Sequence, residues 1–156
     1  MANLTGPRQA FEGDTTAVDS SEVQALGSRA FDADGNEYIY LEGVASTVAG
    51  SAVTYDEEYA TTLTVANAVG PVAIAQAATV ASTYGWYCVR GTTTGLSADN
   101  IADNKTLSLT ATAGKLDDAD AAGDAIVGLW SRSAATGATT VTLQLDYPKV
   151  HDIAID

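Results

Sequence analysis

Short runs of β-branched and aromatic residues, each closed by a glycine-bearing turn, are the feature that most restricts how this chain can fold. Thr, Ala, Gly and Val dominate, whereas Lys and Glu, which build surface helices, are few. That composition is typical of strands. Many short strands between glycine turns predict a mostly β fold, either a compact antiparallel β-barrel or a two-sheet sandwich. The predicted strands are residues 25–31, 37–42, 52–55, 61–65, 72–77, 86–90, 106–111, 125–131 and 139–147.

The clearest local signal is a hairpin around Asp34-Gly35, because Asp-Gly between two strand-like runs is a preferred hairpin turn. In the run 139–147, alternation places Val141, Leu143, Leu145 and Tyr147 on one face, which we expect to be the core side. Helix is predicted to be minor. The two candidates are residues 20–26, ending at Gly27, and residues 77–82.

Residues 1–20 are predicted to form an extended N-terminal arm ahead of a single β domain over residues 21–156. The arm has few large apolar side chains and shows neither a 2-residue nor a 3.6-residue period. It is either a disordered tail or an arm that docks on another surface. Leu4, Pro7 and Phe11 favour docking, since an extended segment with apolar anchors suits strand addition.

The charge balance excludes several classes of partner. The chain has 7 Lys and Arg against 20 Asp and Glu, a net charge of -13. Nucleic acids and anionic membranes require clustered cations, so we expect neither as a partner. We find no signal peptide and no apolar run of membrane-spanning length, so we expect synthesis in the cytoplasm. The cations stand singly along the chain, at Arg8, Arg29, Arg90, Lys105, Lys115, Arg132 and Lys149.

Catalytic and metal chemistry find little support in the sequence. A single cysteine, Cys88, excludes an intrachain disulfide, and with the single histidine, His151, it leaves too few ligands for most transition-metal sites. A Cys–His nucleophile pair competes with a small buried thiol as the role of Cys88. We find no nucleophile-elbow, phosphate-loop or dinucleotide motif. We therefore predict a protein that is not an enzyme and needs no cofactor or metal.

Two acidic segments invite a calcium interpretation. Residues 32–37 resemble part of an EF-hand loop, but Gly35 is fourth rather than sixth and Gly43 stands where the bidentate Glu is needed. A tight hairpin turn explains the same residues. The acidic cluster of residues 117–124 is either a weak cation site or a solvated loop. The same cluster could supply the two carboxylates of a glycosidase, but nothing in such a loop would give two neighbouring Asp side chains different pKa values.

Four aromatic residues allow two interpretations. They are either a sugar-stacking platform or core and interface anchors, and anchoring is the commoner use of such side chains. The four are Tyr84, Trp86, Tyr87 and Trp130.

Several strand-and-turn motifs resemble the small head decoration, or cement, proteins that tailed bacteriophages encode beside their major capsid protein. They cover most of the chain and are densest over residues 1–91, whereas residues 92–104 and 151–156 carry no resemblance. The motifs are GPRQ at 6–9, FDADGNEYIYLEG at 31–43, VAST at 44–47, VTYD at 53–56, GPVA at 70–73, YGWY at 84–87, LTATAG at 109–114 with Asp117-Asp118, and Tyr147-Pro148.

The resemblance implies a structural virion protein that binds the outer surface of the capsid and reinforces the shell. It also implies the major capsid protein as a partner and self-association as a homotrimer at three-fold positions. The alternative is a β-sandwich adhesion or carbohydrate-binding module of a phage head or tail fibre. The candidate capsid or subunit contacts are Leu4, Pro7, Arg8, Phe11, Trp86 and Tyr87.

Overall fold

A computed structural model describes residues 13–119 and 123–151 of the chain. Within those ranges the chain forms eleven strands and no helix, and all strand pairings are antiparallel, so the predicted mostly β fold is confirmed. The strands are β1 Val18–Asp19, β2 Arg29–Phe31, β3 Glu37–Glu42, β4 Ala52–Tyr55, β5 Thr61–Leu63, β6 Gly70–Ala75, β7 Tyr84–Leu96, β8 Thr106–Leu109, β9 Leu116–Asp117, β10 Ala125–Ser131 and β11 Thr140–Val150.

Both helix predictions were wrong. Residues 21–25 are all exposed, so a helix there would have no face to bury, and short helices depend on such burial. Residues 77–82 are held against the sheet instead, because Thr79 is fully buried and its hydroxyl is hydrogen-bonded to the Tyr87 hydroxyl. In the described part of the chain no helix is long and apolar enough to cross a membrane.

The long strand β7 joins two layers of one sheet. Its first half lies between β3 and β6, with Cys88 opposite both Tyr38 and Ile74. Its second half leaves those strands, and residues 90–96 pair with β11. From there the sheet continues through β10 and β8 to β9. A strand that passes from one layer to the other in this way is how a continuous sheet folds over on itself as a sandwich.

The first layer, made of β3, β7, β6, β4 and β5, is curled. Strand β5 comes back beside β3, where Glu42 and Ala60 form an isolated parallel bridge. One face of the curl buries Ile39, Leu41 and Tyr87, and the opposite face buries Tyr40 and other side chains against the second layer. The sheet is not closed, so the sandwich-like form of the prediction holds rather than the barrel.

In the second layer, made of the second half of β7 with β11, β10, β8 and β9, the central strands β10 and β11 bury one face only. Val141, Leu143 and Leu145 are in the core as predicted, and the residues between them are partly or fully exposed. Tyr147 was predicted to lie with them, and that was wrong, since it is 50% exposed. Tyr147 lies within a β-bulge, which breaks the alternation.

The end of the predicted N-terminal arm belongs to the domain. Val18 and Asp19 pair with the start of β7, and the Asp19 carboxylate accepts a hydrogen bond of 2.6 Å from the Tyr40 hydroxyl. Two residues of the predicted arm 1–20 therefore pair with the sheet of the β domain. The predicted contacts Leu4, Pro7, Arg8 and Phe11 lie outside the described residues.

Candidate interaction surface

The bulge in β11 lies opposite Gly128 of β10. Leu145 pairs with Leu129 and Lys149 with Val127, so three residues of β11 stand opposite one of β10. Gly128 has φ +85°, and a Cβ there would lie 2.6 Å from the Asp146 carbonyl oxygen. Tyr147 itself has φ 47°, a left-handed conformation that is unfavourable for a bulky residue. Strain of this kind persists where the surrounding structure imposes it and is frequent at functional positions.

A buried carboxylate holds the Tyr147 ring in place. Glu37, at the start of β3, is 5% exposed. One of its oxygens accepts a hydrogen bond from the Tyr147 hydroxyl, and the other lies 3.4 Å from Nη1 of Arg29. The hydrogen bond to Glu37 raises the pKa of Tyr147, so the phenol stays a neutral donor. Tyr147 thus reaches from the second layer to the first.

Around this tyrosine the two layers present a mixed apolar and cationic surface. Pro71 of β6, Lys149 of β11 and Val127 of β10 are cross-strand neighbours, and all three are exposed. A cavity of about 170 Å³ opens at the end of the curl beside them. Its lining residues are Arg29, Tyr55, Pro71, Val72, Val89, Tyr147, Pro148 and Lys149.

We call this region the Tyr147 surface and define it by Tyr55, Val69, Pro71, Val127, Tyr147 and Lys149. Val69 and Val127 are 59% and 58% exposed. Tyrosine, proline and valine flanked by Arg29 and Lys149 offer apolar contact area with a cationic margin. Aromatic anchors with a polar rim are the usual composition of protein–protein contacts.

Cations that stand singly in the sequence come together here. Arg29 and Lys149 line the cavity, and Arg90 lies between the two layers, with its Nε 3.8 Å from the Asp146 carboxylate. Glu37 and Asp146 offset Arg29 and Arg90, so the three cations make this region less negative than the rest of a chain of net charge -13. Sequence reasoning missed it, because strands far apart in the chain supply the three residues.

The predicted contacts Trp86 and Tyr87 lie in the core. Trp86 is 6% exposed and packs edge-on against Tyr40, with ring centroids 5.1 Å apart, while Tyr87 is fully buried inside the curl. Both occupy consecutive positions of a strand that is buried on its two faces, so neither side chain is presented to a partner. Tyr84 stacks on Tyr40, with centroids 6.4 Å apart. Trp130, the last of the four aromatic residues, lines a surface groove.

The calcium-like turn is occupied by its own hydrogen bonds. One oxygen of Asp32 accepts from the backbone N–H groups of Asp34 and Asn36, at 3.0 and 2.9 Å. The other accepts from the Asn36 amide and the Tyr38 hydroxyl, at 2.7 and 2.8 Å. Burial opposes ionisation, but these hydrogen bonds outweigh it and lower the pKa of Asp32. The residues therefore act as a hairpin turn.

Neither the acidic cluster nor the thiol forms a reactive centre in the described ranges. There the structure brings together no group of three or more His, Cys, Asp or Glu side chains suited to a metal ion. Cys88 is fully buried, and burial raises its pKa to about 12, so it is a protonated thiol. That chemistry fits a small core residue rather than a nucleophile.

No protein-family model matches the chain, and no curated protein is significantly similar to it. The basis for its function is therefore the chemistry of its own residues together with the resemblance of its motifs.

Proposed function

We propose that this is a structural virion protein that binds the outer surface of a tailed-phage capsid and reinforces the shell. One observation carries the proposal: two of the motifs that resemble decoration proteins meet in space. Pro71 and Tyr147 are 76 positions apart in the chain, yet both line the same cavity of the Tyr147 surface. Pro71 and Tyr147 are exposed where the two motifs meet, which supports a contact with a partner there.

The Tyr147 surface is suited to attachment. Its ring is fixed by Glu37 and by the bulge, so little side-chain entropy is lost when it is covered. Arg29, Arg90 and Lys149 make this surface less acidic than the remainder of the chain, which lowers the repulsion of an acidic partner there. Repetition over a symmetric shell multiplies a modest contact through avidity. The major capsid protein is the partner that we propose for it, and the capsid surface is the proposed location.

The proposed role needs no chemical step, in keeping with a protein that is not an enzyme. The polar side chains around Tyr147 are engaged with one another: Glu37 holds both Arg29 and the phenol. Groups arranged this way set the position of a ring and fix a surface. We propose no nucleic-acid or membrane partner, given the net charge of -13.

We also propose a homotrimer, because a protein at a three-fold position of the shell has to match that symmetry. At -13 per chain, like charges repel across the axis, so the subunit contact must be poor in Asp and Glu. Mass measurement in solution at physiological salt tests this. A monomer in solution that trimerises only on the capsid would contradict a pre-formed trimer but would be compatible with capsid attachment. A dimer would contradict both the trimer and the attachment at three-fold positions.

The copy number in purified virions tests the proposed function directly. A decoration protein should be present at a copy number close to that of the major capsid protein, and it should sediment with isolated heads. Recovery in a few copies with a head or tail fibre would contradict shell reinforcement and favour the adhesion-module alternative.

A matched pair of variants tests the attachment surface. Val69 on the Tyr147 surface and Val23 away from it are 59% and 58% exposed, so Val69→Glu and Val23→Glu add the same charge at equal exposure. Val69→Glu should weaken binding to heads at least about tenfold, since an unpaired charge is desolvated in the contact. Val23→Glu should change it less than about twofold. Equal binding by the two variants would contradict attachment through this surface.

A further inference from the structure

A second surface feature is a polar groove on the outer face of the second layer. It has a volume of about 510 Å³, within the range of small-ligand sites. Three cross-strand neighbours form its floor: Trp130 of β10, Gln144 of β11 and Thr92 of β7. In the adjoining row Asp146 stands opposite Arg90. The β2–β3 turn, with Asp34, Gly35 and Asn36, forms one wall, and Arg132 lines the groove from β10's end.

The groove is held in shape by hydrogen bonds of its own residues. Arg132 donates from Nε to the Gln144 amide oxygen at 2.6 Å and from Nη1 to the Asn104 amide oxygen at 2.7 Å. The Asn36 amide oxygen accepts from the Thr92 backbone N–H at 2.8 Å, which fastens the turn to the floor. Polar groups fixed in this way lose little freedom when a ligand binds.

We propose that this groove binds a neutral saccharide. Trp130 is half-buried and offers an apolar surface on which the C–H face of a pyranose ring can pack. The groove around Trp130 also contains strong hydrogen-bond donors, Arg90 and Arg132, and strong acceptors, Asp34 and Asp146. A sugar hydroxyl both donates and accepts, so it is the kind of group that this mixture satisfies.

Charge selects a neutral sugar over an acidic one. The two arginines of the groove are balanced by its two aspartates, so the lining carries no net charge. The chain as a whole is at -13, which repels anionic ligands before they reach the groove. A neutral oligosaccharide meets no such barrier and keeps the hydroxyl contacts.

The groove shares no lining residue with the cavity of the Tyr147 surface, although its Arg90 and Asp146 lie beside that surface, and the inference does not rest on the proposed capsid attachment. A groove variant should still decorate heads, and a protein that never meets a capsid should still bind the sugar.

Saturation-transfer NMR on the full-length protein tests the inference, with neutral hexasaccharides of glucose, galactose and mannose as probes. A hexauronate serves as the acidic comparison. Probes at up to about 10 mM detect millimolar dissociation constants. We expect transfer to at least one neutral probe, and Trp130→Ala should weaken that binding about tenfold or more. No transfer to any neutral probe, or transfer to the hexauronate alone, would overturn the proposal.

Thr92→Tyr provides an independent test, because Trp130→Ala also alters packing. Thr92 is exposed on the floor, and a tyrosine there fills the groove without touching the core. Its control is Thr62→Tyr, on an exposed strand position of the first layer. Thr92→Tyr should abolish binding, while Thr62→Tyr should leave it within about twofold of the unmodified protein. Binding that survives Thr92→Tyr would show that the saccharide sits elsewhere and would refute the assignment.

Discussion

The two layers of this sheet use their faces differently. In the first layer, consecutive residues of β3 are all buried: Tyr38 and Tyr40 on one face, Ile39 and Leu41 on the other. In the second layer, β11 buries alternate residues and exposes those between them. The first layer is covered on both sides by its own curl and by its neighbour, whereas the second has a face left for solvent.

This difference separates stability from recognition. A strand that is buried on both faces, as β3 is, has no outward side chains with which to contact a partner, so it can contribute through packing alone. The exposed face of the second layer carries the Trp130 groove, and its bulge supplies Tyr147. Both proposed contacts therefore use side chains of the layer with one free face, and the Tyr147 surface adds Tyr55 and Pro71 from the first layer.

The largest expected effect follows from comparing neighbouring residues in the two layers. Leu41→Ala and Tyr40→Ala should each cost roughly 2–5 kcal/mol, because both side chains are fully buried. Leu143→Ala should cost about the same. Its neighbour Thr142→Ala, which changes an outward side chain, should stay within about 0.5 kcal/mol. Urea unfolding measures all four. A small loss for either first-layer residue would break the comparison.

Alanine substitution at the bulge should cause a smaller loss of stability, and a second glycine outside the bulge serves as the control. Gly128 and Gly137 have φ of +85° and +70°, so alanine is strained at both positions. At Gly137 an added Cβ meets nothing within 4 Å, and the cost should be about 1–2 kcal/mol. At Gly128 the Cβ also collides with the Asp146 carbonyl, which should add roughly 1–3 kcal/mol. Equal melting temperatures for the two variants would mean that the bulge yields easily.

Much of the fold could be predicted from local pattern. The Asp-Gly hairpin and the alternation of Val141, Leu143 and Leu145 depend on turn chemistry and on a two-residue period, and both are visible in the sequence. The burial of β3 on both faces could not be predicted from the sequence, because Tyr38 and Tyr40 could equally form an exposed aromatic face. Whether a strand is covered on one side or two depends on the return of β5 to β3, which is a tertiary contact.

The candidate surfaces were less predictable. Tyr147 continued an apolar alternation, and only Pro148 after it and Gly128 on the facing strand signalled a bulge. Only the register of the paired strands brings together Arg29, Arg90 and Lys149. Trp86 and Tyr87 looked like contacts because aromatic residues serve interfaces and cores equally, and burial cannot be read from residue type.

The β2–β3 turn joins the layers, and its contribution should depend on pH. The pKa of Asp32 is lowered in the folded state, so its stabilisation is present above the ordinary value of 3.8 and is lost as the pH falls through the folded pKa. In Asp32→Asn that loss has already occurred. The variant should therefore have a smaller free energy of unfolding than the unmodified protein near neutral pH. This gap in the free energy of unfolding should narrow below about pH 4.

Urea midpoints measured from about pH 6 to about pH 3 report this gap. Asp34→Asn is the control, because it removes the same charge from the same turn and keeps the hydrogen bonds to Asp32. A gap that stays constant with pH in Asp32→Asn would mean that the carboxylate's ionisation does not hold the turn between the layers.

The smallest expected effect concerns the acidic segment between β9 and β10, at the edge of the second layer. The described carboxylates of this segment already accept hydrogen bonds from backbone N–H groups. Asp117 accepts from the N–H groups of Asp118 and Ala119 at 2.7 and 3.2 Å. Asp118 accepts from Ala102 N–H at 2.8 Å. Asp120 lies outside the described residues.

Asp124 shows why we expect a chelator to have no effect on stability. It is 7% exposed, and its oxygen accepts from the Asn67 N–H at 2.6 Å, which ties the segment to the loop after β5. A cation would have to displace such bonds before it gained carboxylate ligands, so binding should be weak and should stabilise little. Melting with and without EDTA should agree within about 2 °C, because a site ion held at saturation would contribute several kcal/mol. A drop of about ten degrees would reveal a bound metal, and it would make this edge of the second layer depend on an ion instead of on its own backbone contacts.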